Sequence, residues 1–360
     1  MKERLKLIFS SFLESLFALL GRFDNSGTFI MTSACRGLER HSNYYFNFLL
    51  RPKNHDIQNK ITIPRAYPNG ELAVVLQGVI ETKENFTLET VQFYKQIFPG
   101  AIIIISTWDF TPNDILDPFK ALGCEIVINK SFKPSGYHNV NFQLKTSLEG
   151  AKRAKELGAK YVLKNRSDLR IYEPFSYEYL KGLLKSMPIT NNKTPLKERI
   201  ITLEGYCGQM FFPQWIQDYI FFGQADDLIL LFDQPVDNRP NIYIKRTSLK
   251  TGRDLCESNP PEIYITNSFF SKYFSLNNNV KEYWNIIRDY FIVINLADLN
   301  VLWRSKYDLY SSFDSQPKSK HSDYTPYLAI RKNIFYGLYD GSISYSEDFE
   351  KLRDKYILNE

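Results

Sequence analysis

Four short apolar runs, each ending in turn or polar residues, constrain this chain more than anything else in it. They are Leu72 to Leu76, Ala101 to Ile105, Cys124 to Ile128 and Tyr161 to Lys164. Between them lie three stretches of helical character, Asn85 to Ile97, Thr111 to Leu122 and Phe142 to Leu157. Pro99-Gly100 stops the first, Pro112 sits in the first turn of the second, and Asn141 and Gly158 bracket the third. Strands apolar along their whole length are covered on both faces, and strands alternating with helices pair in parallel. The pattern therefore predicts an α/β fold with a mostly parallel central sheet flanked by helices. Right-handed crossovers bring every strand's carboxyl end to one edge. That edge collects Gln77, Gly78, Thr107, Trp108, Asn129 and the segment beginning at Lys164.

Around this frame the chain divides into residues 1–22, 23–70, 71–275 and 276–360. Leu5, Ile8, Phe9, Phe12, Leu13, Leu16, Phe17, Leu19 and Leu20 form a helical stripe flanked by Lys2, Arg4, Lys6 and Arg22. Glu14 and several serines make it a poor membrane span. Two readings stand: a helix lying in an anionic membrane interface, or one packed on the protein's own body. Residues 23–70 read as an irregular lead-in with one short element near Tyr44 to Leu50. Beyond Arg170 the signals predict helices at Tyr177–Lys185, Ala225–Phe232, Glu262–Tyr273 and Val280–Tyr290. Strands are predicted at Ile200–Leu203, Gln209–Phe212 and Phe291–Asn295, and residues 276–360 form a C-terminal extension. Net charge is +5 with no run of five Lys or Arg, which is too diffuse to argue for nucleic acid, so none is expected as a partner, and it suits an anionic substrate or membrane surface. Cys35, Cys124, Cys207 and Cys256 lack zinc-site spacing, so a reduced, cytosolic compartment is the expectation. Walker A, G-x-S-x-G and G-x-G-x-x-G strings are missing, which argues against P-loop kinases, serine hydrolases and dinucleotide dehydrogenases.

Chemistry concentrates at Y-V-L-K-N-R-S-D-L-R, residues 161–170. If the segment stays extended, Lys164, Arg166, Asp168 and Arg170 share one face. Charge at the end of a buried strand is paired, metal-bound or facing a charged ligand. In an open α/β sheet, ligands bind beyond the strands' carboxyl ends. A diphosphate, with or without a divalent cation, suits these residue types, and a surface salt-bridge cluster is the plain alternative. Asn141, Gln143 and Ser147 fall at a helix start, where free N–H groups favour an anion. Asn141 also reads as a simple cap, and Trp108 as either a stacking platform or packing.

A strand ending in a short acidic motif after a helix from an Asn-containing loop resembles the nucleotide-diphospho-sugar transferases of the GT-A type. Their D-x-D motif holds a metal on the diphosphate; here the triplet is Arg166-Ser167-Asp168. The resemblance implies Mn2+ or Mg2+ on Asp168, or metal-independent catalysis with Arg166 replacing part of the cation's charge. Five stretches resemble the WavE lipopolysaccharide synthesis family: 74–80, 98–108, 141–150, 161–172 and 218–223. That likeness implies a glycosyltransferase moving sugar from a nucleotide-sugar donor to a lipid-linked or core oligosaccharide of lipopolysaccharide or capsule. Such an enzyme is cytoplasmic, or peripheral at the inner face of the cytoplasmic membrane. Gln77, Gly78, Thr107, Trp108, Asn141, Gln143, Lys164, Arg166, Asp168 and Arg170 are then donor-side candidates. An inverting transfer needs a base for the acceptor hydroxyl, and Asp218 and Glu262 are the candidates. A sugar nucleotidyltransferase and a non-catalytic scaffold are the rivals.

Overall fold

The computed structural model describes residues 2–21, 26–40, 50–58, 67–204, 209–240, 256–276, 279–304 and 329–354. The chain forms two compact units, 1–52 and 53–360. The first carries helices α1 (Lys2–Leu20) and α2 (Ser26–Glu39). Helix α2 corrects the expectation of an irregular lead-in. Two glycines and several Ser/Thr residues lower its intrinsic helix preference and hid it. The element expected near Tyr44–Leu50 lies, apart from Leu50, outside the described residues.

In the second unit the predicted alternation appears. Strand β1 (Leu72–Gln77) leads to α3 (Phe86–Ile97), β2 (Ile102–Trp108), α4 (Asn113–Ala121), β3 (Glu125–Asn129), α5 (Val140–Glu156) and β4 (Tyr161–Arg166). After β5 (Leu169–Ile171) come α6 (Ser176–Ser186), β6 (Ile200–Leu203), β7 (Phe221–Gln224) and α7 (Ala225–Phe232). The described remainder holds α8 (Pro261–Phe270), α9 (Val280–Tyr290), β8 (Phe291–Ile294), β9 (Val301–Trp303), α10 (Lys332–Asp340) and α11 (Glu347–Arg353). Residues 209–211 are a 3-10 turn rather than the predicted strand.

Seven strands make the central sheet in the order β3-β2-β1-β4-β7-β6-β8. Strand β7 alone runs against its neighbours; the other pairings are parallel. Every residue of β1 is buried, as a strand covered on both faces requires. Helix α5 packs on β1 and β2 so closely that a Cβ on Gly150 would collide with Val75. Since β8 closes the sheet and β9 pairs with β5, the boundary expected at 276 cuts through the fold instead of separating an extension from it.

Candidate active site

Alternation along β4 sends Lys164 and Arg166 to the face covered by α5 and α7, and Asn165 to the opposite face, where it donates to the Tyr94 hydroxyl of α3. The strand stops at Arg166. Residues 167 and 168 form a turn, and β5 departs to pair with β9. The single face expected for all four charged residues is therefore interrupted at Ser167.

Arg170 lands inside the unit. Its guanidinium donates to the Thr90 hydroxyl (2.9 Å) and to the carbonyls of Lys53 (2.8 Å) and Phe86 (3.0 Å), with the Phe86 ring 4.6 Å away. That geometry is structural and corrects its expected place on the diphosphate side. Lys164 is equally buried. Its ammonium donates to the carbonyls of Asp218 (2.5 Å) and Tyr219 (3.4 Å) and sits against the Phe221 and Phe232 rings. Burial pulls it down to about 7, against the pull of Asp218. It faces the backbone, which corrects its reading as a group presented to phosphate.

Arg166 and Asp168 form a two-bond pair, Nε to Oδ1 at 2.8 Å and Nη2 to Oδ2 at 2.9 Å. Burial works against the guanidinium's charge, and the hydrogen bonds to Asp168 prevail and raise its pKa. Trp303 donates its indole N–H to Asp168 Oδ2 (3.1 Å) and lies 5.2 Å below the guanidinium. Tyr219 packs on that indole at 4.5 Å. A metal on Asp168 does not fit this arrangement. Both carboxylate oxygens are engaged, and no group of three His, Cys, Asp or Glu suitable for an ion occurs among the described residues.

The reversal of β7 matters here. A strand running antiparallel to β4 begins where β4 ends, so residues 218 and 219 arrive at the carboxyl edge of the sheet. Lys164 and the Gln143 amide (3.1 Å) both hold the Asp218 carbonyl. Among the described residues no hydrogen bond or ion pair engages the Asp218 carboxylate. It belongs to a largely buried residue, and its charge reaches Lys164 and Arg166.

The other candidates are distributed along and behind this edge. Gln77 accepts the Thr146 hydroxyl at 2.6 Å and pairs in register with Arg166. Gly78 turns with φ +106, a conformation that favours glycine, beside the Ser167 hydroxyl. Thr107 is buried and bonded to Thr111. Trp108 is buried against Phe142 at 4.7 Å, so it packs instead of offering a face for stacking. Asn141 lies one residue inside α5, whose N-cap is Asn139. Its amide ties Pro134 and Asp237 together, which corrects both the cap and the ribose contact. The first N–H groups of α5 go to Tyr137 and Ser135 carbonyls, so the helix start is not the open anion site expected, and Ser147 is buried within the helix. Glu262 lies in the first turn of α8, and its carbonyl accepts from Ile216, a connection to the 214–216 segment. His138 lies against Tyr137. Beyond Asn129 an open cavity of ≈ 890 Å³ is walled by Phe132, Lys133, Asn139 and Phe142.

Trp303, Arg304 and Tyr219 belong to this edge and were not legible as site residues. The first two lie some 135 positions from Asp168, at the end of and just after a three-residue strand too short for periodicity to reveal.

The fold is that of an α/β protein with a mostly parallel central sheet and charged residues at its carboxyl edge. The chain belongs to the WavE lipopolysaccharide synthesis family, whose profile matches residues 72–296. No curated protein matches it. Among solved structures it is similar to a protein assigned as a glucose-1-phosphate thymidylyltransferase of Bacillus anthracis, at 11% identity over 62% of this chain and 86% of that one, TM-score 0.33. A protein assigned as a nucleotide-diphospho-sugar transferase of Desulfovibrio desulfuricans gives 13%, 51%, 77% and 0.29 in the same order. The mannose-1-phosphate geranyltransferase of Thermus thermophilus gives 9%, 57%, 72% and 0.29. Likeness at such TM-scores says nothing about chemistry.

Proposed function

We propose that the chain is a glycosyltransferase that moves a sugar from a nucleotide-sugar donor to a lipopolysaccharide core or capsular oligosaccharide. One observation carries the reading: a carboxylate without a hydrogen bond, that of the largely buried Asp218, stands at the strand edge that also holds the Arg166–Asp168 pair. An acceptor hydroxyl attacks the anomeric carbon, and the bond from that carbon to the diphosphate oxygen breaks. Asp218 takes the hydroxyl proton, and the departing diphosphate carries its negative charge away from the anomeric carbon. Gln77, Gly78 and the Phe132–Phe142 cavity form the donor's side. No step runs through a metal, because Asp168 is committed to Arg166 and Trp303. Residues 1–22 hold the enzyme peripherally at an anionic membrane, where lipid-linked acceptors are found.

The test is product analysis with UDP-, GDP- and dTDP-sugars and a lipopolysaccharide core acceptor, in EDTA and in Mn2+. Acceptor-dependent release of nucleoside diphosphate, equal in both, is the expected result. Pyrophosphate formed from a nucleoside triphosphate and a sugar 1-phosphate would replace this reading with nucleotidyl transfer. Full dependence on Mn2+ would overturn the metal-free site.

A further inference from the structure

Three segments meet beside Asp168. They are the loop after β1, the Ser167–Asp168 turn, and the residue following β9. Ser167 donates its hydroxyl to the Val79 carbonyl and its N–H to the Gln77 carbonyl, and its own carbonyl accepts from the Thr87 hydroxyl (2.9 Å). From the other side, Arg304 donates its backbone N–H to the Asp168 carbonyl at 2.8 Å. The Arg304 guanidinium then reaches the β1 loop and pairs with Glu84 Oε2 at 2.7 Å.

The cations of residues 164–170 are all committed to other partners. Arg166 is neutralised by Asp168, Lys164 is turned onto backbone carbonyls, and Arg170 is enclosed. Arg304 is held by a partner it can exchange. Its own side chain is 12% exposed, whereas that of Glu84 is 45% exposed and has Lys53 as a second cation at 3.2 Å. Losing Arg304 therefore leaves Glu84 paired and solvated. Glu84 and Asn85 also both sit in the left-handed region, at φ 54 and 53, where residues other than glycine are uncommon. A loop held in that conformation is suited to rearrangement on binding.

We propose that Arg304 is the diphosphate-binding cation of this site and that Glu84 occupies it when no donor is bound. The incoming diphosphate displaces the Glu84 carboxylate, and Arg304 changes partner from carboxylate to phosphate oxygen. This rests on the sugar-nucleotide reading and extends it to a residue and a self-masking contact.

Titration calorimetry of the full chain with UDP, GDP, CDP and dTDP, and with the matching monophosphates, tests it. Glu84→Gln unmasks the cation and is expected to tighten diphosphate binding about three- to tenfold while leaving monophosphate binding unchanged. Arg304→Gln is expected to weaken diphosphate binding about ten- to a hundredfold, the loss of a charge-assisted contact. Diphosphate affinity unchanged or weakened in Glu84→Gln overturns the masking, and this exposed substitution decides the matter even if Arg304→Gln fails to fold. Wild-type protein that binds no diphosphate overturns the sugar-nucleotide reading along with it. Normal wild-type binding with indifferent variants removes the Arg304 assignment alone.

Discussion

A lysine with no water around it depends on whatever the backbone offers. Lys164 is given two carbonyls and two aromatic faces, and these fix the Asp218 segment at the end of β4. Burial lowers its folded pKa from 10.5 to about 7, so between these values the unfolded chain holds the extra proton. Stability from this group therefore grows as pH rises from about 7 toward 10.5. The lead of wild type over Lys164→Met is expected to widen by about 1 to 3 kcal/mol between pH 7 and 9, measured by urea unfolding. A gap independent of pH would contradict the assignment. Asp218→Asn keeps the shape and the main-chain bonds but loses the base, so transfer should fall about a hundredfold to ten-thousandfold with donor binding retained, read by kinetics and calorimetry. Asp168→Ala is a poorer probe. It strips Arg166 of its partner, so its melting temperature is expected to fall along with activity.

At the scale of elements, one reversed strand and one three-residue strand assemble the site. Strand β7 carries Asp218 to the edge because it runs antiparallel to β4, and β9 carries Trp303 and Arg304 there because β5 leaves the sheet to meet it. Behind the sheet, α5 packs closely on β1 and β2. Gly150 is the contact point, since a Cβ there would overlap Val75. Gly150→Ala gains helix preference but overpacks the interface, for a net destabilisation of about 1 to 3 kcal/mol. A fall in melting temperature on thermal circular dichroism is the expected reading, and a more stable variant would show that the helix can move away freely.

The whole molecule joins a sheet-based unit to a pair of N-terminal helices. No helix among the described residues is long and apolar enough to cross a membrane. In α1, Ile8, Phe9, Phe12, Leu16 and Leu19 are exposed along one stripe, the apolar face that an interfacial helix would lay on a membrane. Full-length protein is expected to sediment with phosphatidylglycerol vesicles and to release at high salt. Protein lacking residues 1–22 is expected to remain in the supernatant while still binding nucleotide. Equal sedimentation of both would remove the membrane role from α1.

The amino-acid sequence alone determined the α/β architecture and the edge at which the strands' carboxyl ends gather. Apolar strand runs and capped helices are local signals, and right-handed crossover is a general rule that needs no further contacts. It also placed Arg166, Asp168 and Asp218 among the charged groups to watch. Which charges face outward was decided only by tertiary structure. Alternation puts Lys164 and Arg166 on one face, but the turn at Ser167 and the burial of Arg170 among Thr90, Phe86 and Lys53 depend on contacts about 80 to 117 residues apart. Trp303 and Arg304 reach Asp168 across a still longer separation. Contacts at that range come from chain topology, which no periodicity along a strand or helix records.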